Sequence, residues 1–330
     1  MRKNWFVGLA VGLSALFSLS AQAEAPTTLN VDYAYYSPTS LVVKKFGWLE
    51  EEFKSDGTEI NWVLSLGSNR ALEYLNSSSV HFGSTAGLSA VLAKANGAPI
   101  KTVYVYSQPE WTALVVPEGS SIGSIEDLKG KKVAATKGTD PYLFLLRALQ
   151  SKGLTKRDVD IINLQHPDGR TALVRGDVDA WAGLDPHMAA AQLQDNARLI
   201  YRNISFNTYG FLNVNEAFLE EHPETVRRVI SVYEQAREWV LNNPDQAAEI
   251  LAEAANLPVD VAKVQLTERT ILNQPLPSQQ HIDDLTGAAP ILAAEGLVRP
   301  GTDVTSAITR LIDTNFAASV IRKDTTVAER

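Results

Sequence analysis

The sequence predicts an α/β fold of two units, and three features carry that prediction. Strand-like and helix-like runs alternate through residues 28–201, the succession that builds a parallel sheet covered on both faces. Four of the strand-like runs stop at residues suited to starting a helix: Ser37-Pro38-Thr39-Ser40, Gly67-Ser68-Asn69, Gly83-Ser84-Thr85 and Lys137-Gly138-Thr139-Asp140-Pro141. From Asn215 onward the pattern turns to helices alone. A chain of 330 residues is long enough for two domains.

Thr28–Tyr36 alternates through Leu29, Val31, Tyr33 and Tyr35 as an opening strand. Ser37, with Pro38 at the first helical position, starts a helix running toward Glu52. Glu59–Leu66 reads as a second strand and Arg70–Leu75 as a short helix. Val80–Gly83 is a brief third strand, and the Ala- and Leu-rich Thr85–Ala95 a helix stopped by Asn96-Gly97. Ile100–Tyr106 and Thr112–Val116 are strands. In the second unit, Ser124–Leu128 fits a short capped helix. Strands at Lys132–Thr136, Ile161–Leu164, Ala180–Gly183 and Arg198–Tyr201 alternate with helices at Pro141–Lys152, Gly169–Arg175 and Pro186–Gln194. The remainder reads as amphipathic helices at Glu224–Asn242, Pro244–Ala255, Val259–Thr270, Gln279–Glu295 and Val304–Ala318, packed on the first unit, with a polar frayed tail from Arg322.

The N-terminus has the form of an export signal: Arg2 and Lys3, an apolar stretch from Trp5 to Leu19, then Ala21-Gln22-Ala23. That stretch is short for a membrane span, so cleavage near Ala23 and a free periplasmic protein starting at Glu24 are expected. There is no cysteine; disulfides and a lipid-modified cysteine at the cleavage site are excluded, and stability must come from the core. Losing Arg2 and Lys3 takes the formal charge from −8 to −10, a poor match for nucleic acid or anionic lipid. A small anion is not excluded, because short-range dipoles decide its binding.

A helix start carries unpaired N–H donors and a partial positive charge, which suits an anion. In an open α/β sheet these starts gather at the carboxyl ends of the strands, where ligands bind. One such junction is ordinary capping; four together predict an anion pocket. Catalytic readings find no support. His81, His166, His187, His222 and His281 show no metal-ligand spacing, no thiol is present, and neither a G-x-S-x-G elbow nor a Walker lysine occurs. No cofactor or metal is expected.

Residues 118–187, with their flanks, resemble periplasmic substrate-binding proteins of ABC importers, in particular the aliphatic sulfonate, taurine and nitrate group. The resemblance is carried by Leu114–Ser120, Ile125-Glu126-Asp127-Leu128-Lys129-Gly130-Lys131-Lys132-Val133, Lys137-Gly138-Thr139, and Gly176-Asp177-Val178-Asp179-Ala180-Trp181 followed by Asp185-Pro186. Upstream, Gly83-Ser84-Thr85 before an alanine-rich helix also matches. The resemblance implies a two-lobed type II fold with C-terminal helices packed on lobe one. Lobe one would be residues 24–115 and 214–330 and lobe two 116–213, with crossings near 116–118 and 209–214 and ligand held between lobes that close as hinged bodies. It also implies an inner-membrane permease with a cytoplasmic ATPase as partner, and a monomer.

A sulfonate is a fixed anion with three acceptor oxygens, best held by neutral donors. Ser84 and Thr85, Gly138 and Thr139 are the expected donors from the two lobes, completed by Ser37, Thr39 and Ser68. Tyr35, Gln108, Trp111 and Trp181 are candidates for the wall around the organic portion; Trp181 fits the core equally well. Asp140 departs from the sulfonate-type pattern and either caps its helix or meets a cationic part of the ligand. Asp185 caps the next helix or pairs with a ligand ammonium. Runner-up ligands are taurine, nitrate and sulfate esters. Other classes on this fold are a thiamine-pyrimidine-synthesis-like enzyme and a periplasmic sensor.

Overall fold

The computed structural model describes residues 25–327, so the expected export signal lies outside the described residues. The first lobe opens with β1 (Thr28–Tyr33), α1 (Pro38–Phe46), α2 (Trp48–Glu52), β2 (Glu59–Leu64), α3 (Ser68–Asn76), β3 (Phe82–Ala86), α4 (Gly87–Ala95) and β4 (Ile100–Pro109). The second contains β5 (Leu114–Val116), β6 (Lys132–Ala135), α5 (Asp140–Ser151), β7 (Asp160–Asn163), α6 (His166–Arg175), β8 (Ala180–Ala182), α7 (His187–Gln194) and β9 (Arg198–Tyr201). The chain then returns through β10 (Gly210–Asn215), α8 (Glu216–Glu221), α9 (Pro223–Asn242), α10 (Pro244–Ala255), α11 (Val259–Lys263) and β11 (Thr270–Ile271). It finishes with α12 (Gln279–Ala288), α13 (Pro290–Ala294), α14 (Val304–Leu311) and α15 (Phe316–Val327). The last helix runs past Arg322, where a frayed tail was expected.

The two sheets are ordered β11-β4-β10-β3-β1-β2 and β7-β6-β8-β5-β9. Both are mixed rather than wholly parallel. β1 pairs in parallel with β2 and β3, and β6 with β7 and β8; β10 runs antiparallel between β3 and β4, and β5 antiparallel between β8 and β9. The expected crossings therefore shift. Leu114–Val116 belongs to the second sheet and Gly210–Asn215 to the first, so the chain crosses at 110–113 and 202–209. β10 occupies the stretch where the resemblance placed a crossing, and it carries a buried amide, Asn213. In the sheet that amide is satisfied: Thr102 Oγ1 donates to its Oδ1 at 2.6 Å, and its Nδ2 donates to Thr85 Oγ1 at 2.7 Å.

Apolar residues from β1, α1, β10 and α9 (Leu29, Val42, Leu212, Val229) fill one face of the first lobe. A second cluster crosses between lobes, joining Leu88, Phe211 and Leu285 to Leu146 and Leu149 of α5. Ala189 and Ala190 of α7 likewise pack on Val261 of α11. Apolar surface shared by two hinged bodies is removed from water only when they are shut. The lobes are closed.

Candidate functional site

Five helices that follow strand ends, α1, α3, α4, α5 and α6, have N-cap residues (Ser37, Gly67, Ala86, Thr139 and Gln165) that make no capping hydrogen bond. At α4 the second crossing substitutes, Tyr209 O accepting the Gly87 N–H at 2.8 Å and Thr208 Oγ1 the Leu88 N–H at 3.2 Å, which leaves α1, α3, α5 and α6 open. Side-chain caps do occur in the chain: Asn215 and Asp303 bond the first turns of α8 and α14, and Ser278 forms a capping box on α12, while α2, α9, α10, α11 and α13 also start without one. Uncapped first-turn N–H groups need another acceptor. Those of α1, α3, α5 and α6 sit at the carboxyl ends of β1, β2, β6 and β7, on the edges where the lobes meet.

Between the lobes lies a small cavity. Tyr36, Ser68 and Ala86 line it from the first lobe, Thr139, Asp140, Pro141 and Leu184 from the second, and Trp111 from the crossing. About 10 Å³ of it is open to the centre of a water-sized sphere, room for roughly one water. A larger guest enters only when the lobes part.

The expected donors fall into two groups. The hydroxyls of Ser37 and Thr39 are buried without a protein partner. Ser68 Oγ accepts the Ala86 N–H at 2.9 Å, and Thr139 Oγ1 donates to Thr136 O at 2.6 Å. Gly138 adopts φ +81°, which lets the turn lead into α5 without steric cost. Ser84 and Thr85, by contrast, are not at a helix start. They lie inside β3, paired with Leu212 and Phe211 of β10, and α4 begins only at Gly87. Thr85 Oγ1 accepts from Asn213 and donates to Ala86 O, while the Ser84 N–H goes to Asp32. Small, β-compatible residues extended the strand by three positions beyond the expected end.

Both acids are already engaged. Asp140 neither caps α5 nor is left free: it accepts from Trp111 Nε1 at 3.1 Å and from Thr208 N–H at 3.0 Å and Oγ1 at 2.9 Å. It thereby ties the start of α5 to both crossings; burial raises its pKa, opposed by those donors. Asp185 accepts the Ala189 N–H in the first turn of α7, and it pairs across the lobes with Arg269 Nη1 at 3.0 and 3.1 Å. Burial raises its pKa to about 6, with Arg269 opposing. Neither carboxylate is free for a ligand ammonium.

Among the expected wall residues, Trp111 stands edge-on to Tyr36 at 5.9 Å and lines the cavity. Trp181 does not: it is fully buried in the core of the second lobe, and a Cβ on Gly169 would come within 2.5 Å of its Nε1. Gln108 opens into a separate hollow at the second crossing, beside Arg147 and Asp284. Tyr35 packs edge-on to His187, with ring centroids 6.4 Å apart.

Two second-lobe histidines that were not among the expected site residues face the first lobe, His166 fully buried and His187 half-buried. His187 meets Tyr35, and His166 lies over Gly67, where any side chain would collide with it. Burial lowers their pKa values to about 3 for His166 and about 4 for His187, so both are neutral at pH 7. The detectable sign was Gln165-His166-Pro167, a strand–helix junction like the other four, obscured by starting α6 at Gly169. Arg269 was missed because nothing local marks a partner 84 residues away.

Two mixed sheets, two crossings and a polar cavity between closed lobes define a two-lobed periplasmic-binding-protein fold. The chain belongs to the family described as NMT1/THI5 like, whose model matches residues 41–247. A relative in Escherichia coli, named as an aliphatic sulfonates-binding protein, is 31% identical over 267 residues, covering 79% of this chain and 83% of that one. The taurine-binding periplasmic protein of Escherichia coli is 28% identical, covering 71% of this chain and 72% of its own. Among solved structures, the alkanesulfonate-binding protein SsuA from Xanthomonas axonopodis pv. citri bound to MOPS superposes with TM-score 0.78 at 28% identity, over 86% of this chain and 98% of that one. The desulfurization enzyme DSZB shares the fold alone, at 14% identity and TM-score 0.66 over 91% of this chain and all of that one. Among the described residues no helix is long and apolar enough to cross a membrane.

Proposed function

We propose that this protein is the periplasmic binding component of an ABC importer, capturing an aliphatic sulfonate between its lobes and delivering it to a membrane permease. One observation carries the reading: a cavity lined from both lobes and bordered by helix starts that no side chain caps. Such a site offers neutral donors and dipoles to an anion that never loses its charge. No lysine or arginine lines the cavity, so the donors, not a counter-ion, would hold the sulfonate. Three or four charge-assisted hydrogen bonds, each about 1.5–3 kcal/mol, leave micromolar or tighter binding after association costs. The ligands for which these relatives are named support the same class.

Titration calorimetry tests it with ethanesulfonate, taurine, nitrate and sulfate. A dissociation constant of roughly 1 µM or below for at least one sulfonate is expected, and Thr139→Tyr, which fills the cavity, should abolish it. Folded protein that binds no sulfonate would contradict the reading.

A further inference from the structure

We propose that the ligand carries a neutral hydroxyl beyond its sulfonate, read by His166 and Asn69 from opposite lobes; this rests on the sulfonate reading above. An ideal Cβ on Gly67 would lie 2.9 Å from Asn69 Oδ1 and 3.0 Å from His166 Nε2. The two atoms are therefore within roughly 6 Å of one another, a span that one bridging group covers at ordinary hydrogen-bond lengths. Both are buried and neither has a protein partner.

The tautomer of His166 follows from its neighbour. The single hydroxyl proton of Thr136 goes to Leu164 O at 2.6 Å, so at the 3.2 Å contact with His166 Nδ1 the histidine is the donor. Nε2 is then a lone-pair acceptor, as is Asn69 Oδ1. Two unpartnered acceptors facing one another across the shut cleft call for a donor.

An ammonium does not suit this place. It adjoins the first turns of α3 and α6, whose positive ends repel a cation, and the cleft carboxylates Asp140 and Asp185 are held by Trp111, Thr208 and Arg269. A hydroxyl suits it. It donates to His166 or Asn69 and accepts from a helix-start N–H. The structure thus assigns a hydroxyalkanesulfonate as the guest, with its sulfonate toward Thr139 and Ser68 and its hydroxyl toward His166.

Calorimetry of the full mature chain with 2-hydroxyethanesulfonate, ethanesulfonate and taurine tests this. The hydroxy compound should bind about tenfold tighter than ethanesulfonate, the effect of one good hydrogen bond, and taurine no tighter than ethanesulfonate. His166→Leu should erase the hydroxyl preference, read as the ratio of the 2-hydroxyethanesulfonate and ethanesulfonate dissociation constants within each variant, and His166→Gln, which keeps an acceptor, should restore most of it. Asn69→Leu reports the same preference from the other lobe if His166→Leu fails to fold. Equal binding of the hydroxy and unsubstituted compounds by the wild type, or tightest binding of taurine, overturns the proposal alone. Binding of no sulfonate at all removes the sulfonate reading and the proposal with it.

Discussion

Arg269→Ala will lower stability by about 3–5 kcal/mol at pH 8, read as a shift of the denaturant midpoint, because it strips a buried carboxylate of its partner. Arg269 and Asp185 are 8% and 1% exposed, and the guanidinium also donates to Gln192 Oε1 on α7. Arg269 is fixed in turn by its carbonyl, which accepts the Glu110 N–H at 2.7 Å beside the first crossing. Without the guanidinium, the Asp185 pKa rises further above its present value of about 6, and the carboxyl escapes the penalty by taking up a proton. The loss will therefore be smaller at pH 5 than at pH 8. The double variant Arg269→Met/Asp185→Leu should recover most of it, since a buried pair contributes little over apolar packing. A loss below about 1 kcal/mol at both pH values would mean that the pair is solvated and does not join the lobes.

Asp32→Asn acts in the opposite direction and should stabilise the protein by about 4 kcal/mol at pH 8. Asp32 on β1 is fully buried; its Oδ1 accepts the Ser84 N–H at 2.8 Å, and its Oδ2 has no protein partner. Burial raises its pKa from 3.8 to about 7, only partly offset by Ser84 and Ser65. The folded state thus holds this proton more tightly than the unfolded chain, so stability is lost as pH rises from about 4 through 7. A shift of about three units corresponds to about 4 kcal/mol. Asparagine keeps the acceptor for Ser84 and carries no charge. His166 and His187, with lowered pKa values, run the other way between their folded values and 6.5, so the difference between variant and wild type isolates Asp32. The two proteins should converge near pH 4. Equal stability at pH 8 would show that Asp32 is hydrated or paired.

How much was legible in the sequence follows from what each feature depends on. The β1, β2 and β6 ends, with Ser37, Gly67 and Thr139 at their helix starts, were readable because local punctuation sets them. The uncapped state of those starts was not readable, since Ser37 and Thr139 are good caps by type and only the fold shows their hydroxyls unused for capping. β10 was invisible because its pairing is non-local and its central polar residue, Asn213, is satisfied by Thr85 and Thr102 from other strands. Ser84 and Thr85 were misplaced for the same reason: β10 extends β3 past the residue where propensity alone would begin a helix. The engagement of Asp140 and Asp185 depends on Thr208 and Arg269, residues 68 and 84 positions away, and no local pattern signals such partners.

The claim on which the functional reading rests is that helix-start amides of both lobes hold one anionic group together. A crystal structure with 2-hydroxyethanesulfonate tests it most directly. The account predicts sulfonate oxygens within about 3.2 Å of donors at the start of α5 in one lobe and of α1 or α3 in the other. A sulfonate held by one lobe alone, or bound outside the space between Ser68 and Thr139, would contradict it.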